Sequence, residues 1–475
     1  MTDRNFANRT LYHGDNLDFL RGMNSGTVNL IATDPPFNKG RDFHADPDSL
    51  AAGASFPDRW SWRDDVHDEW LIAIQRDEPE VWQVITAAKT VYGDDMGAFL
   101  CWLGVRLLEM HRILTDNGSL YLHMDDTAGA WGKCLLDAVF GKAGFRNSIT
   151  WQRHNAHSNA NRFGNVTDTI HFYVKGNPTW NPTFGTYSAE QLKRYKQDDD
   201  GRYYRGDDLT APSPAPSRIF TWRGTTPKHG WRYSREHLES LWEQGLILTK
   251  RDGSPRLDGH KKYLDEMQGK PLQNLWADIP RIANTSNERT GYPTQKPLAL
   301  YERIIKASSN PGDMVLDPFC GCATTPVAAE RLGRQWVGMD IWDKAHPTVL
   351  DRLETEGLAV PNRRGRNRQA ALVFGDVTYA TAPPKGRTTA SRPRSRCGRQ
   401  REGVQLAIPP RVHSTGNCWP TWVHSVRDAG GITGLTPACW RLTTSGPGRT
   451  AEATPTTTSR CYVRRAIERS GTVLR

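Results

Sequence analysis

Cysteine is scarce in this chain and badly spaced for cross-linking or metal capture. The 475 residues hold eight cysteines, and no two of them form a C-x-x-C pair. Cys320 and Cys322 stand one residue apart, too close for a relaxed disulfide. These spacings argue against a disulfide scaffold and against the common zinc ribbons, and they suit a reducing compartment. Long apolar runs are missing too. Nothing approaches the ~20 residues that a membrane span requires, and the opening "MTDRNFANRT" is polar with no apolar leader core behind it. A soluble, cytoplasmic protein with no membrane partner is the expectation. Phosphate-binding signatures are absent as well. There is no G-x-x-x-x-G-K-[ST], and no turn is glycine-rich enough for a dinucleotide.

Most of the chain also lacks net charge. The formal balance of +10 belongs to residues 381–475, which carry one lysine and fifteen arginines against four acids. The rest of the chain, with 46 basic and 48 acidic residues, is nearly neutral, so any nucleic-acid contact there needs a local patch. The segment 381–475 is rich in Arg, Thr, Pro and Gly and loses hydrophobic periodicity. It reads as a disordered basic extension, or as sequence translated out of frame.

What is present is alternation of strands and helices. "TLYHGD", "VNLIATD", "SLYLHMD", "NSITWQR", "DTIHFYVK", "DMVLDPF" and "QWVGMDI" read as strands. "NLDFLRGM", residues 96–114, "WGKCLLDAVFGKAGF", "TQKPLALYERIIKASS" and "ATTPVAAERLG" read as helices. A run such as "VNLIATD", apolar at consecutive positions, suits a strand covered on both faces. The fold expected is α/β, a doubly wound and mostly parallel sheet. Residues 44–95, dense in Trp, Asp and Pro, resist assignment and read as a lid-like insertion. Residues 176–290 lose the pattern and read as an inserted second region. The organisation is therefore 1–175, an insert 176–290, a return at 291–380, and the segment 381–475.

Chemistry concentrates in two turns. In "DMVLDPFCGCATT" a buried strand ends at Asp317 and a small-residue turn leads into a helix, at the sheet edge where open α/β folds hold nucleotide-like ligands. Asp340 ends the next strand, where an acid can bind both hydroxyls of a ribose. Without phosphate signatures, a nucleoside lacking pyrophosphate is the better match, and S-adenosyl-L-methionine is the commonest such cofactor. The second turn is "DPPF" at 34–37, which follows the buried strand "NLIAT". Each proline fixes its φ, and Pro36 biases Pro35 towards extended backbone.

Together these motifs resemble the β-class amino-methyltransferases of DNA, which include the modification subunits of type III restriction systems and solitary bacterial and phage enzymes. The order is the permuted one, with "DPPF" ahead of "LDPFCGCATT" and a variable region between. "GYPTQKPLALYERIIKASS" resembles the helix that precedes the cofactor strand, and "LYHGDNLDFL" the acidic motif near the cofactor's adenine. The resemblance covers about residues 10–375. It implies a Rossmann-like fold with S-adenosylmethionine held by Asp15, Asp317, Pro318, Phe319, Gly321, Thr324, Thr325 and Asp340. Lys296 reads as a contact to the cofactor's carboxylate or as a solvated residue at a helix start, and the resemblance favours the first. The family's usual Gly-Ser-Gly-Thr-Thr turn is here Gly321-Cys322-Ala323-Thr324-Thr325. An alanine at 323 is expected to sit in the helix, where it is a good former.

The resemblance also gives "DPPF" a role. An exocyclic amine is a poor nucleophile while its lone pair is delocalised into the ring. Asp34 and the Pro35 carbonyl would accept its two N–H bonds and localise that pair, Pro36 would stiffen the turn, and Phe37 would stack on a base swung out of duplex DNA. No metal is needed. Site-specific adenine-N6 methylation is expected, by a bacterial or phage-encoded enzyme acting on double-stranded DNA, as a homodimer or beside a restriction subunit. Cytosine N4 is the alternative target, and a non-catalytic recognition subunit the alternative role. His154 and His157, with Arg153 and Arg162, read as a DNA-facing loop, and 176–290 as the region that reads sequence.

Overall fold

The computed structural model describes residues 3–155, 161–358 and 377–386. His157 and every expectation for the chain beyond 386 lie outside the described residues. Among the described residues nine strands form the main sheet. They are β1 (Thr10–His13), β2 (Val28–Thr33), β3 (Leu114–Met124), β4 (Phe145–Gln152), β5 (Thr167–Val174), β6 (Leu275–Trp276), β7 (Met314–Asp317), β8 (Gln335–Asp340) and β9 (Thr378–Ala380). Their spatial order is β6-β4-β5-β3-β2-β7-β8-β1-β9. Only β5 runs antiparallel to its neighbours β3 and β4, and the remaining pairs are parallel. This is the doubly wound, mostly parallel sheet expected from the strand–helix alternation.

The central strands are apolar at consecutive positions because both of their faces are covered. Ile31, Leu316 and Val337 face a core shared with the helices Asn16–Gly22, Asp94–Ile113 and Gly129–Phe140. Their chain neighbours Leu30, Val315 and Trp336 face a second core, shared with the helices Leu298–Ser308, Thr324–Arg331 and Ala345–Thr355. Side chains alternate across a strand with period two, so one short run feeds two cores. In register, Leu30 pairs with Val315 and Ile31 with Leu316, which brings the carboxyl ends of β2 and β7 side by side.

The structure departs from the expected elements in three places. The segment "TDNG" at 115–118, between the helix expected at 96–114 and the strand "SLYLHMD", is not a separate turn. It lies inside β3, as a bulge where Val28 pairs with Leu114 and Leu30 already pairs with Ser119. Residues 44–95 contain the helices Asp68–Asp77 and Pro79–Tyr92, the second burying Val81, Ile85 and Ala88. Residues 196–263 hold an antiparallel sheet of Ile247–Thr249, Pro255–Tyr263, Tyr203–Asp207 and Lys196–Gln197, with the helix Arg235–Glu243. The core of that region is built around Trp222 and Trp231 with Leu209, Leu238, Leu241 and Ile247. Among the described residues no helix is long and apolar enough to cross a membrane.

Leu316 is fully buried between strands β2 and β8. Leu316→Ala should therefore destabilise the fold by about 2–5 kcal/mol, read as a fall in the urea midpoint by circular dichroism.

Candidate active site

The carboxyl edges of β2, β7 and β8 border one cavity of about 370 Å³. Of the residues singled out in the sequence, Asp15, Asp34, Pro35, Pro36, Phe37, Lys296, Asp317, Pro318, Phe319, Gly321, Thr324 and Asp340 all line it. Thr325 does not. Its hydroxyl donates to Asp317 Oδ2 at 2.6 Å and lies 3.3 Å from the Ala32 carbonyl, so it ties strand to helix.

Asp34 follows directly on β2. Its Oδ2 accepts a hydrogen bond from Lys296 Nζ at 2.5 Å, and that ammonium also donates to the Thr294 carbonyl at 3.2 Å. Oδ1 of Asp34 is buried and has no hydrogen-bond partner. A buried carboxylate oxygen without a donor is costly and rare. Phe37 stacks on His123 with ring centroids 6.0 Å apart, and the Lys296 ammonium lies 5.3 Å from its ring centre. Lys296, expected to reach a cofactor carboxylate, is thus bonded to Asp34 in this structure.

The second half of the cavity is a nucleoside-sized cradle. Asp340 accepts from the Gly321 N–H at 2.7 Å and the Trp342 N–H at 2.8 Å, and each oxygen keeps a second acceptor position. A Cβ built on Gly321, whose φ is +49°, would come within 2.8 Å of the Tyr292 ring, so only glycine leaves this turn open. Asp15 caps the helix Asn16–Gly22 through Oδ1, which also accepts from Arg106 at 2.7 Å, and its side chain is half exposed towards the cavity. Pro318 offers its carbonyl to Asn16 Nδ2 at 2.7 Å, and the Phe319 ring packs against Trp102.

Ala323 corrects an expectation. It precedes the helix Thr324–Arg331 and adopts the left-handed conformation, with φ 69° and ψ 30°. A side chain there costs about 1–2 kcal/mol. The turn is held by Arg352, which donates to the Cys322 carbonyl at 2.6 Å and to Thr324 Oγ1 at 3.2 Å.

Arg106 was not singled out from sequence. It is buried, it donates to Asp15, to Asn16 Oδ1 at 2.7 Å and to the Trp102 carbonyl at 2.9 Å, and burial lowers its pKa to about 10. The available signal was one arginine amid the apolar residues of "LGVRLLEM". Trp60 and Trp70, in the segment 44–95, also border the cavity, and Trp60 packs against Phe99 and Trp102.

The DNA methylase family matches residues 28–350. The chain belongs to that family. It is 35% identical over 261 residues to the type II methyltransferase M.EcaI of Enterobacter cloacae, covering 54% of this chain and 57% of that protein. It is 25% identical to the StyLTI Mod subunit of a type III restriction-modification enzyme of Salmonella typhimurium, covering 68% of this chain and 50% of the other. It is 26% identical to the DNA adenine methyltransferase YhdJ of Escherichia coli, covering 73% and 83%. The family member described here thus spans little more than half the length of the first two of these relatives.

Asp317 is the family turn's most strongly buried acid. It accepts from Thr33 Oγ1 at 2.7 Å, Thr325 Oγ1 at 2.6 Å and the Phe319 N–H at 3.1 Å, yet burial outweighs these donors and raises its pKa to about 7. In an unfolded chain the same group titrates near ~3.9. Between those values the folded protein holds a proton that the unfolded chain has released. Stability from this group is therefore lost as pH rises through the window, at up to about 1.4 kcal/mol per pH unit, and levels off above it. Asp58 and Asp340, also raised by burial, add to the same slope. Urea unfolding between about pH 4.5 and 7.5 should show a slope one proton shallower in Asp317→Asn than in wild type.

Proposed function

We propose that this chain transfers a methyl group from S-adenosyl-L-methionine to the N6 amine of adenine in double-stranded DNA, with the target base swung out of the helix. One observation carries the reading: Asp34 Oδ1 is buried, without a partner, and set in the same cavity as the Asp317–Thr324 turn. The name of YhdJ, a DNA adenine methyltransferase, supports the choice of base.

When bound, S-adenosylmethionine supplies an electrophilic methyl group on a sulfonium. The residues suited to hold it are Asp340 at the ribose, Asp15 at the adenine, and the Pro318–Thr324 turn along its length. The fit is supported by the space that Gly321 leaves beneath Tyr292 and by the remaining acceptor positions of Asp340 and Asp15.

Asp34 Oδ1 accepts one N–H of the target amine and the Pro35 carbonyl the other. Two acceptors fixed in place draw the nitrogen towards tetrahedral geometry and localise its lone pair. As the new N–C bond forms, the sulfonium's bond to the methyl group would break and leave a neutral thioether, the nitrogen would become cationic, and the adjacent carboxylate would stabilise that charge. The nitrogen then loses a proton, and neutral N6-methyladenine leaves. Lys296 holds Oδ2, which leaves Oδ1 as the carboxylate oxygen without a hydrogen-bond partner. Phe37, backed by His123, offers its free face to the extruded base, a contact worth about 1–3 kcal/mol. Duplex DNA is the substrate and residues 176–290 the region that reads its sequence. A restriction subunit or a second copy is the expected partner, by analogy with the Mod subunit, and a bacterial cytoplasm the setting.

Full-length protein, plasmid DNA and methyl-labelled cofactor should yield N6-methyladenine after digestion to nucleosides. Asp34→Ala should lower kcat by about 10²-fold or more, with cofactor affinity kept. Label on cytosine N4 would move the target base, and label retained in Asp34→Ala would remove Asp34 from the chemistry.

A further inference from the structure

The turn that presents Phe37 is held by a carboxylate that neither motif contains. Asp58, buried and 21 residues beyond Phe37, accepts hydrogen bonds from three successive backbone N–H groups. Phe37 and Lys39 donate to Oδ2 at 3.3 and 2.9 Å, and Asn38 donates to Oδ1 at 2.7 Å. The indole N–H of Trp60 donates to Oδ1 at 3.2 Å, and the Gly40 N–H donates to the Asp58 carbonyl at 2.9 Å. Asn38 has a φ of +61°, a left-handed conformation that asparagine tolerates better than most residues. That kink makes consecutive N–H groups converge, which is the geometry of an anion-binding nest. Here the anion comes from the chain itself. Among the described residues no lysine or arginine nitrogen lies within 4 Å of the Asp58 carboxylate, so N–H donors meet its charge.

A second tether acts from the opposite side. Lys39 Nζ pairs with Asp125, which is buried just beyond β3, and donates to Thr127 Oγ1 at 2.6 Å. The backbone at 37–39 is thereby fixed by Asp58 and its outgoing side chain by Asp125. The two prolines stiffen the chain before Phe37, and these contacts stiffen it after.

We propose that Asp58 is a positioning residue for methyl transfer: by filling the nest at Phe37–Lys39 it fixes the phenyl ring and, through the prolines, the two amine acceptors. The proposal rests on the function given above and assigns part of the segment 44–95 to the catalytic turn. Loss of the carboxylate leaves three N–H groups of the turn, that of Asn38 buried, without this acceptor, and a turn free to shift by even an ångström can cost about 10²-fold in rate.

The test uses the full chain with 4-fluorophenylalanine placed at position 37 and, in a separate preparation, at the core position 172. Asp58→Asn should move or broaden the fluorine resonance at 37 while leaving that at 172 unchanged. Its kcat should fall by about ten-fold or more, with cofactor affinity held within about two-fold. Asp58→Glu should recover part of the rate. An unchanged resonance at 37, equal changes at both labels, or an unchanged kcat would each overturn the proposal. Inactive wild-type protein would refute the proposed reaction instead, and the fluorine spectra would still decide what Asp58 holds.

Discussion

Two hydrogen-bonded strands separated by about 280 residues of sequence hold this molecule's chemistry in one place. β2 delivers Asp34 and β7 delivers Asp317, and their parallel pairing at Leu30–Val315 and Ile31–Leu316 makes the two turns neighbours. The bond from Thr33 Oγ1 to Asp317 Oδ1 at 2.7 Å closes the pair at its carboxyl end, and Thr325 closes it again from the following helix. Parallel pairing demands a crossover, and here the crossover is long enough to contain helices, a second sheet and the lid-like segment. Between 34 and 314 the chain also builds β3 to β6, on the far side of β2 from β7. The pairing must therefore be secured by burial on both faces, which the alternation of Leu30 and Ile31, or of Val315 and Leu316, between two cores supplies.

The regular framework was legible because its signals are local. Strands covered on two faces announce themselves as apolar runs, and helices of the sheet layers as stripes of leucine and isoleucine. Legibility failed where folding depends on something else. The core at 209–247 rests on Trp222, Trp231 and their perpendicular packing, with ring centroids 5.5 Å apart, and tryptophan-rich segments carry little aliphatic periodicity. The helix Pro79–Tyr92 had a readable pattern in Val81, Ile85 and Ala88, obscured by the polar residues around it. Ala323 misled for a different reason. Helix propensity describes residues inside a helix, whereas position 323 lies just before one and takes its conformation from the strand–helix geometry.

The site divides along the same line. Residues that face the cavity from the two turns were readable, since the chemistry requires those residue types in that order. Arg106 and Asp58 were not, although each bonds directly to a site element. What identifies them is a partner distant in sequence: Asp15 lies 91 residues from Arg106, and Asn38 lies 20 residues from Asp58. A buried charge becomes interpretable only when its donors or acceptors are known, and those are a property of the fold.

The cavity edge also carries more acid than its size would suggest, and each carboxylate meets burial in a different way. Asp34 has the Lys296 ammonium at 2.5 Å, Asp15 has the Arg106 guanidinium at 2.7 Å, and Asp58 has four N–H donors. Asp317 receives two hydroxyls and one N–H, with Asp34 close enough to repel it, and it is the acid driven up to about 7. Burial and that repulsion both raise it, and the hydroxyl and N–H donors offset them only in part. The residue that joins β2 to β7 can give up its charge without losing its bonds to Thr33 or Thr325, because a protonated carboxyl still accepts. The strand pair thus closes on an acid of its own, apart from the Asp34–Lys296 pair at the same cavity edge.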